Sequence, residues 1–331
     1  MKFYVRRIAF YVLTLWFAVT LNFVLPRLLP GDPATILLQK LSRLGGEVTP
    51  AMIRSVELLL GTDDGASMWS QYWSYIGSIF RGDLGISISN YPAPVTTLIG
   101  EALPWTLALV GTATVLSFLL GIFGGAWVGW KRGTWADNVI PATTLLQSVP
   151  YFWLALLLVY IFSVSLGWFP IIGGWDTWTF DNPEASFAFF KDAVWHATLP
   201  ALTIILSSVG GWLLGMRNMT VSTLSEDYIT TAEAKGLRPS RIFMTYTVRN
   251  ASLPSIAGFT IALGFVVSGS IVMEQVFTYP GLGRLMIQAV QGNDYALMQG
   301  VFLVITLTVL AANFIMDMFY GFIDPRARHN G

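Results

Sequence analysis

The sequence predicts an all-helical integral membrane protein of about six transmembrane helices, and two observations support this fold class. Of the 331 residues, 54% are hydrophobic and only 11% are charged, whereas a soluble domain carries about 25% charged residues. The chain therefore has too little polar surface to cover a water-exposed globule of its size. The second observation is a series of apolar stretches, each long enough to cross about 30 Å of hydrocarbon.

Six stretches reach that length. Backbone groups in lipid have no water to bond, so each stretch is expected to form a helix. Gly121, Gly124 and Gly125 lie close together in the second stretch, and small residues at such spacing let helices pack closely in a bundle. The stretches are 8–29, 104–130, 139–166, 199–219, 256–277 and 298–322.

The first apolar stretch has the basic start of a secretory signal, because Lys2, Arg6 and Arg7 precede it. Residues 8–25 are too long for the apolar part of a signal peptide, and no small-x-small cleavage site follows them. We therefore expect an uncleaved first transmembrane helix.

Basic residues predict the orientation in the membrane. Twelve of the nineteen Lys and Arg residues fall on one predicted side, in the N-terminus, the 131–137 loop, the 217–250 segment and the C-terminal tail. Cytoplasmic loops carry such an excess, so both termini are expected to be cytoplasmic. The twelve residues are Lys2, Arg6, Arg7, Lys131, Arg132, Arg217, Lys235, Arg238, Arg241, Arg249, Arg326 and Arg328.

The predicted spans divide the chain into four parts. Residues 1–30 hold the first transmembrane helix, and residues 31–103 form an extracytoplasmic segment with amphipathic helices. Residues 104–322 form a five-helix core that includes a cytoplasmic loop at 220–250, and residues 323–331 form a cytoplasmic tail.

The outer segment carries two predicted helices. One begins at Thr49 and ends at Gly61, and the other places the aromatic and apolar residues from Met68 to Phe80 on one face. These helices either form a cap that shapes substrate access or lie in the membrane interface as anchors. Residues 167–197 form a second outer segment rich in Trp, whose rings either stack on sugars or peptide side chains or line the interface.

Composition excludes several classes of function. The chain has no Cys, which excludes disulfides and thiolate metal sites, and His196 and His329 are too few and too distant to form a metal site. The net charge of zero argues against nucleic acid as a partner. No G-x-x-x-x-G-K-[ST] sequence occurs, so the chain is expected to bind no nucleotide or other cofactor by itself.

The cytoplasmic loop carries the most informative motif. Its acids come first and Lys235 comes last, which complements a helix dipole, and Gly236 is expected to end the helix. A second short helix is expected from Pro239 to Asn250. Small residues at Thr231, Ala232 and Ala234 favour docking of one helix face into a groove on a partner. The candidate docking residues are Asp227, Thr231, Ala232, Glu233, Ala234, Lys235, Gly236 and Leu237.

At this loop the chain resembles the permeases of ABC importers, whose cytoplasmic coupling loop has the pattern Glu-Ala-Ala, three residues, then Gly. Aligned on Gly236, the Glu-Ala-Ala positions are Thr230, Thr231 and Ala232. Members of the dipeptide/oligopeptide/nickel branch show a similar departure from the pattern. Further sequence blocks of this chain resemble that branch, and they occur along the chain in the same order as in the family. They are Arg27-Leu28-Leu29-Pro30-Gly31-Asp32-Pro33, Gly82-Asp83-Leu84-Gly85, Ala234-Lys235-Gly236-Leu237, Arg249-Asn250-Ala251-Ser252-Leu253-Pro254, Tyr279-Pro280-Gly281-Leu282-Gly283, Asp294-Tyr295 and Asp324-Pro325-Arg326.

The resemblance implies a type I ABC importer permease fold in a prokaryotic inner membrane. It also implies a homologous second permease subunit, two ATPase subunits or domains that hold ATP and Mg, and an extracytoplasmic substrate-binding protein. The substrates implied are oligopeptides or oligosaccharides, and these two remain open. Nickel is disfavoured because the chain has no His or Cys cluster.

A self-contained secondary transporter is the main alternative. Such proteins use ionisable groups within the membrane, and this chain offers Glu274 near the end of the fifth stretch and Asp317 in the sixth. As an alternative to proton sites, hydrogen bonds between helices or a gate network are the favoured roles for the two acids. Together with Arg217 they are the candidate pathway or gate residues. A membrane enzyme would need a nucleophile–base or metal constellation, which the sequence does not show.

Overall fold

The computed structural model describes residues 2–28, 67–266 and 271–323, together with a few isolated positions between 35 and 53. These residues are helical, apart from connecting turns and one isolated bridge between Ile86 and Pro94. The all-helical prediction is therefore confirmed for the part of the chain described. The predicted outer helix between Thr49 and Gly61 lies almost wholly outside the described residues, as does the tail after residue 323.

Twelve helices follow in chain order within those ranges, besides one short 3-10 helix at Trp135–Asn138. Three of them contain π-helical stretches, in which the backbone hydrogen bond spans one residue more than in an α-helix. The helices are α1 Lys2–Arg27; α2 Met68–Arg81; α3 Val95–Trp130, with a π-helical stretch at Leu107–Gly111; α4 Val139–Ser148; α5 Tyr151–Ser165, π-helical from Val159; α6 Phe187–Leu224; α7 Asp227–Ala234; α8 Pro239–Arg241, continued by Ile242–Val248 in π form and Arg249–Ala251; α9 Leu253–Phe265; α10 Ile271–Val276; α11 Leu282–Gln291; and α12 Tyr295–Ile323.

Three of the described helices are long and apolar enough to cross a membrane by themselves. They contain residues Arg6–Val24 of α1, all of α3 and all of α6. A fourth crossing results if α4 and α5 together form one broken span. Helices α9 and α12 contain shorter apolar segments, so the count of six spans stays a prediction.

The third predicted span, residues 139–166, is not one straight helix. Helices α4 and α5 are bent by 99° relative to each other, and Val149 between them is extended, with ψ 128°. The next residue is Pro150, and the proline ring disfavours helical geometry in the residue before it. The prediction of a continuous helix here is therefore wrong.

The second predicted span begins earlier than expected. Helix α3 starts at Val95, so the predicted boundary between residues 103 and 104 falls inside it. Pro104 is typical of a first helical turn, but here Val95, Ile99 and Ala102 are buried against α11 and α12. This packing stabilises a helical segment that the sequence pattern alone did not predict.

Helices α3 and α6 pack with their backbones close together. The contact runs along Gly121, Gly125 and Gly129 of α3. A Cβ atom at Gly121 would overlap Trp212, one at Gly125 would overlap the Leu213 carbonyl oxygen, and one at Gly129 would lie only 2.7 Å from Thr220 Cβ. Hydrogen atoms in place of side chains thus permit this approach, as is common between membrane helices. We call this contact the glycine seam.

The aromatic helix α2 packs on the C-terminal part of α1. The Tyr72 hydroxyl forms a 2.8 Å hydrogen bond with Thr20, and Asn22 Nδ2 donates to the Tyr75 hydroxyl at 3.0 Å. Asn22 also donates to the Gln299 carbonyl oxygen at 2.7 Å, which joins α1 to α12. The predicted helix from Met68 is confirmed, and its polar contacts fix it against α1.

The glycine seam leads to a stability prediction. Gly125→Ala places a methyl group against the Leu213 backbone, whereas a Cβ at the neighbouring Gly124 would lie an ordinary 3.6 Å from the Leu213 side chain. Overpacking costs about 1–3 kcal/mol, so we expect Gly125→Ala to lower the midpoint of thermal unfolding in detergent clearly and Gly124→Ala to change it little. Equal midpoints for the two variants would contradict the seam.

Candidate functional site

Helix α7 ends in a well-defined capping motif. Gly236 has φ +69°, in the left-handed region. Its N–H donates to the Glu233 carbonyl oxygen at 2.8 Å, and the Leu237 N–H donates to the Ala232 carbonyl oxygen at 3.3 Å. These two bonds form the Schellman arrangement, which satisfies carbonyls at a helix end. The prediction that Gly236 ends the helix is confirmed.

The buried face of α7 packs on the rest of the 220–250 loop and on the ends of two long helices. Ile229 and Ala232 are buried with Ile242 of α8, and Trp130 and Leu224 pack against them. Trp130 is the last residue of α3, and Leu224 is the last residue of α6. A displacement of α7 would therefore act on both helices of the glycine seam.

One part of the predicted docking face is wrong. Ala232 is 2% exposed and lies in the interior of the loop, whereas Thr231 and Ala234 are exposed. Ile229 and Ala232 are three residues apart and so share one side of the helix, which the packing turns inward. Of the other predicted residues, Asp227, Glu233, Lys235 and Gly236 are exposed and Leu237 is half-buried beside Ile242.

Arg217 forms an ion pair near the same end of α6. Its Nη2 lies 3.2 Å from Asp137 Oδ1, in the short connection between α3 and α4. The Gly133 N–H donates to Asp137 Oδ2 at 2.6 Å. This backbone hydrogen bond, helped by the Arg217 guanidinium, lowers the pKa of the Asp137 carboxyl. The geometry thus places Arg217 in a link between α6 and the α3–α4 connection, while a position in the pathway stays a prediction.

Glu274 is completely buried, and both carboxylate oxygens have partners. Oε1 accepts a hydrogen bond from the Thr106 hydroxyl at 2.8 Å, and Oε2 accepts from the Gly283 N–H at 2.7 Å and the Arg284 N–H at 3.3 Å. Thr106 Oγ1 in turn accepts from the Leu282 N–H at 2.8 Å. The side chain therefore joins α3 and α10 to the first turn of α11, where free N–H groups favour a carboxylate.

A second buried acid, which the sequence reasoning did not single out as a site, caps α12. Asp294 Oδ2 accepts from the Ser87 hydroxyl and, at 2.8 Å, from the Ser89 N–H. Its other oxygen accepts from the Leu297 N–H at 3.1 Å. The segment after α2 is thereby tied to the start of the last helix. Asp317 lies within α12, but its side chain is outside the described part of the structure.

Comparison with known families decides what kind of protein carries this architecture. Residues 117–329 match the family described as binding-protein-dependent transport system inner membrane component. Residues 1–109 match the corresponding N-terminal family of membrane components. The chain belongs to this permease family.

The permease is also similar to individual transport proteins along its whole length. It is 32% identical to the di/tripeptide transport system permease protein DppB of Pseudomonas aeruginosa over 99% of both chains. It is 32% identical to the glutathione transport system permease protein GsiC of Escherichia coli O6:H1, again over 99% of both chains. The oligopeptide transport system permease protein AppB of Bacillus subtilis shares 33% identity over 93% of both chains.

These similarities show that the chain is an ABC importer permease of the dipeptide/oligopeptide family, which sets aside the alternative of a secondary transporter. The structure also shows what two of the permease's sequence blocks contact. The Tyr279–Gly283 block wraps around the Glu274 carboxylate, where a Cβ at Gly281 would overlap that group. The Asp294-Tyr295 block meets the segment that follows Gly82-Asp83-Leu84-Gly85.

The Glu274 network leads to a prediction with a matched control. Thr106→Val in the permease keeps the side-chain shape but leaves the Leu282 N–H and Glu274 Oε1 without this partner. An unsatisfied buried group costs about 1–3 kcal/mol, so we expect a lower midpoint of thermal unfolding. Thr106→Ser keeps the hydroxyl and is expected to retain most of the stability. If the Val and Ser variants unfolded at the same temperature, the hydrogen bonds of Thr106 would carry no net stabilisation.

Proposed function

We propose that this permease is a transmembrane subunit of an ATP-driven importer that takes up short peptides delivered by an extracytoplasmic binding protein. The observation that carries the proposal is the packing of the cytoplasmic loop. One face of this loop is exposed and polar, and its opposite face is packed on the ends of α3 and α6. This is the arrangement expected of a helix that transmits movement from a partner to membrane helices.

The proposed partners are a homologous second permease and two ATPase subunits, which bind ATP and Mg. In this mechanism the exposed residues of α7, such as Thr231 and Ala234, contact an ATPase groove. Movement of the ATPase displaces α7, and the buried contacts of Ile229 and Ala232 pass that displacement to Trp130 and Leu224. The glycine seam then makes α3 and α6 move together.

Peptides are the proposed substrates because the permease is similar to permeases that are named for peptide transport. The relatives named above are described as di/tripeptide, oligopeptide and glutathione transport permeases. This favours peptides over the oligosaccharides that the sequence pattern left open.

The proposed setting is a prokaryotic inner membrane with both termini in the cytoplasm. The excess of basic residues on one side supports this orientation, and so does a loop suited to a cytoplasmic ATPase. We expect reporter fusions after residues 134 and 235 to report the cytoplasm, and fusions near residues 60 and 180 to report the outside. A cytoplasmic signal from both outer positions would contradict the proposed topology.

Variants at two neighbouring alanines separate docking from loop folding. Ala234→Arg changes an exposed position of α7, so we expect the permease to keep its thermal stability but to co-purify with less ATPase and to transport more slowly. Ala232→Arg forces a charge into the loop interior, where desolvation is costly, so stability should fall as well. Wild-type ATPase recovery and transport in Ala234→Arg would show that this face makes no contact with the ATPase.

Gly236 offers a second matched pair. A β-branched residue is strained at φ +69°, whereas Asn tolerates left-handed geometry. We therefore expect Gly236→Val to reduce ATPase co-purification and transport, and Gly236→Asn to retain most of both. Equal activity of the two variants would indicate that the cap geometry is not needed for coupling.

Uptake by cells that lack this permease tests the proposed substrate directly. Restoring the permease together with its partners should restore uptake of labelled di- and tripeptides and leave uptake of oligosaccharides unchanged. Restored uptake of an oligosaccharide with no uptake of peptides would overturn the proposed substrate class.

The purified permease alone should hydrolyse no ATP, because its sequence has no phosphate-binding loop.

A further inference from the structure

A cleft of about 710 Å³ opens beside the first turns of α3. Its walls include Glu101 and Trp105 of α3, Trp175 of the second outer segment, and Arg284 and Gln288 of α11. The volume lies within the range of about 300–1,000 Å³ that is usual for small-molecule sites. In the proposed topology the cleft faces the side from which substrate arrives.

Among the described residues, two side chains of opposite charge line the cleft, and they are Glu101 and Arg284. Glu101 is exposed, and its carboxylate makes no hydrogen bond or ion pair with another residue of the described part. Arg284 donates through Nη1 to the Thr278 carbonyl oxygen at 2.8 Å. This bond orients the guanidinium and leaves its other N–H groups for a ligand.

The walls of the cleft are fixed by contacts described above. Arg284 lies in the first turn of α11, which Glu274 and Thr106 hold against α3. Trp105 and Trp175 are stacked, with ring centroids 5.2 Å apart and an angle of 23° between the rings. Side chains held in place before a ligand arrives lose less entropy on binding, so this cleft is suited to recognition.

An apolar groove on the other side of Trp105 provides a contrast. It has a volume of about 650 Å³ and lies between α3 and α6. Its lining contains no charged side chain among the described residues. Charges of both signs are therefore a specific property of the cleft and not of every cavity near this end of the helices.

We propose that the cleft receives the short peptide during its transfer from the binding protein, with Glu101 contacting the amino-terminal ammonium group and Arg284 contacting the terminal carboxylate. A guanidinium group can pair with a carboxylate through two parallel hydrogen bonds. The faces of Trp105 and Trp175 offer apolar surface for a side chain. A neutral oligosaccharide has neither terminal charge. The inference rests on the proposed function, because it takes a peptide as the transported molecule.

Blocking each end of a dipeptide separately tests the two contacts. The purified permease in lipid nanodiscs is titrated with L-alanyl-L-alanine, its N-acetyl derivative and its carboxyl-terminal amide, and binding is followed by saturation-transfer NMR. We expect Glu101→Gln to weaken binding of the free dipeptide and of the amide about tenfold and to leave the N-acetyl derivative unchanged. Arg284→Gln should weaken the free dipeptide and the N-acetyl derivative and leave the amide unchanged.

Glu184→Gln is the charge control, because Glu184 is an exposed acid of the second outer segment that does not line the cleft. It should bind all three ligands like the wild type. Absence of saturable dipeptide binding, or an equal loss for all three ligands in both cleft variants, overturns the proposal. Permease-dependent peptide uptake that is unchanged in Glu101→Gln also overturns it and leaves the proposed function intact, whereas absence of peptide uptake by the wild type overturns the function.

Discussion

The close approach of α3 and α6 along Gly121, Gly125 and Gly129 is the constraint on which the rest of the structure depends. These three glycines are spaced four residues apart, and at each of them the two helices leave no room for a side chain between them. The two helices are therefore expected to behave as one body. In lipid there is no hydrophobic force between helices, and close packing of this kind is a main source of their association. Helices α4, α5, α8 and α9 pack against this pair, α11 and α12 pack against the first turns of α3, and α1 packs on α12.

Each end of the α3–α6 pair carries a feature of the proposed transport mechanism. At one end Trp130 and Leu224 hold the α7 loop. At the other end Thr106 joins the Glu274 network, and Trp105 separates a charged cleft from an apolar groove. The proposed coupling therefore needs no long chain of side-chain rearrangements, because one closely packed pair would connect the proposed ATPase side to the proposed substrate side.

Local sequence signals predicted the local structure well. A helix from Met68 and the end of α7 at Gly236 both follow from periodicity and cap chemistry, and the structure confirms both. Features that depend on distant packing could not be predicted in this way. Ala232 turns inward because Trp130 and Leu224 come close to it. The side-chain partner of Glu274 is a threonine 168 positions earlier, inside an apolar run that gave no signal of its role.

Distance measurement between α3 and α6 in the working importer tests the central claim most directly. The chain contains no Cys, so spin labels can be placed at Leu120→Cys and Gly215→Cys, where one side chain is exposed and the other site has open space around it. The labelled permease must first retain transport and ATPase stimulation. The account predicts one narrow distance distribution that is the same with and without bound ATP. A separation that changes when ATP binds would show that the two helices do not move as one body, and would contradict the account.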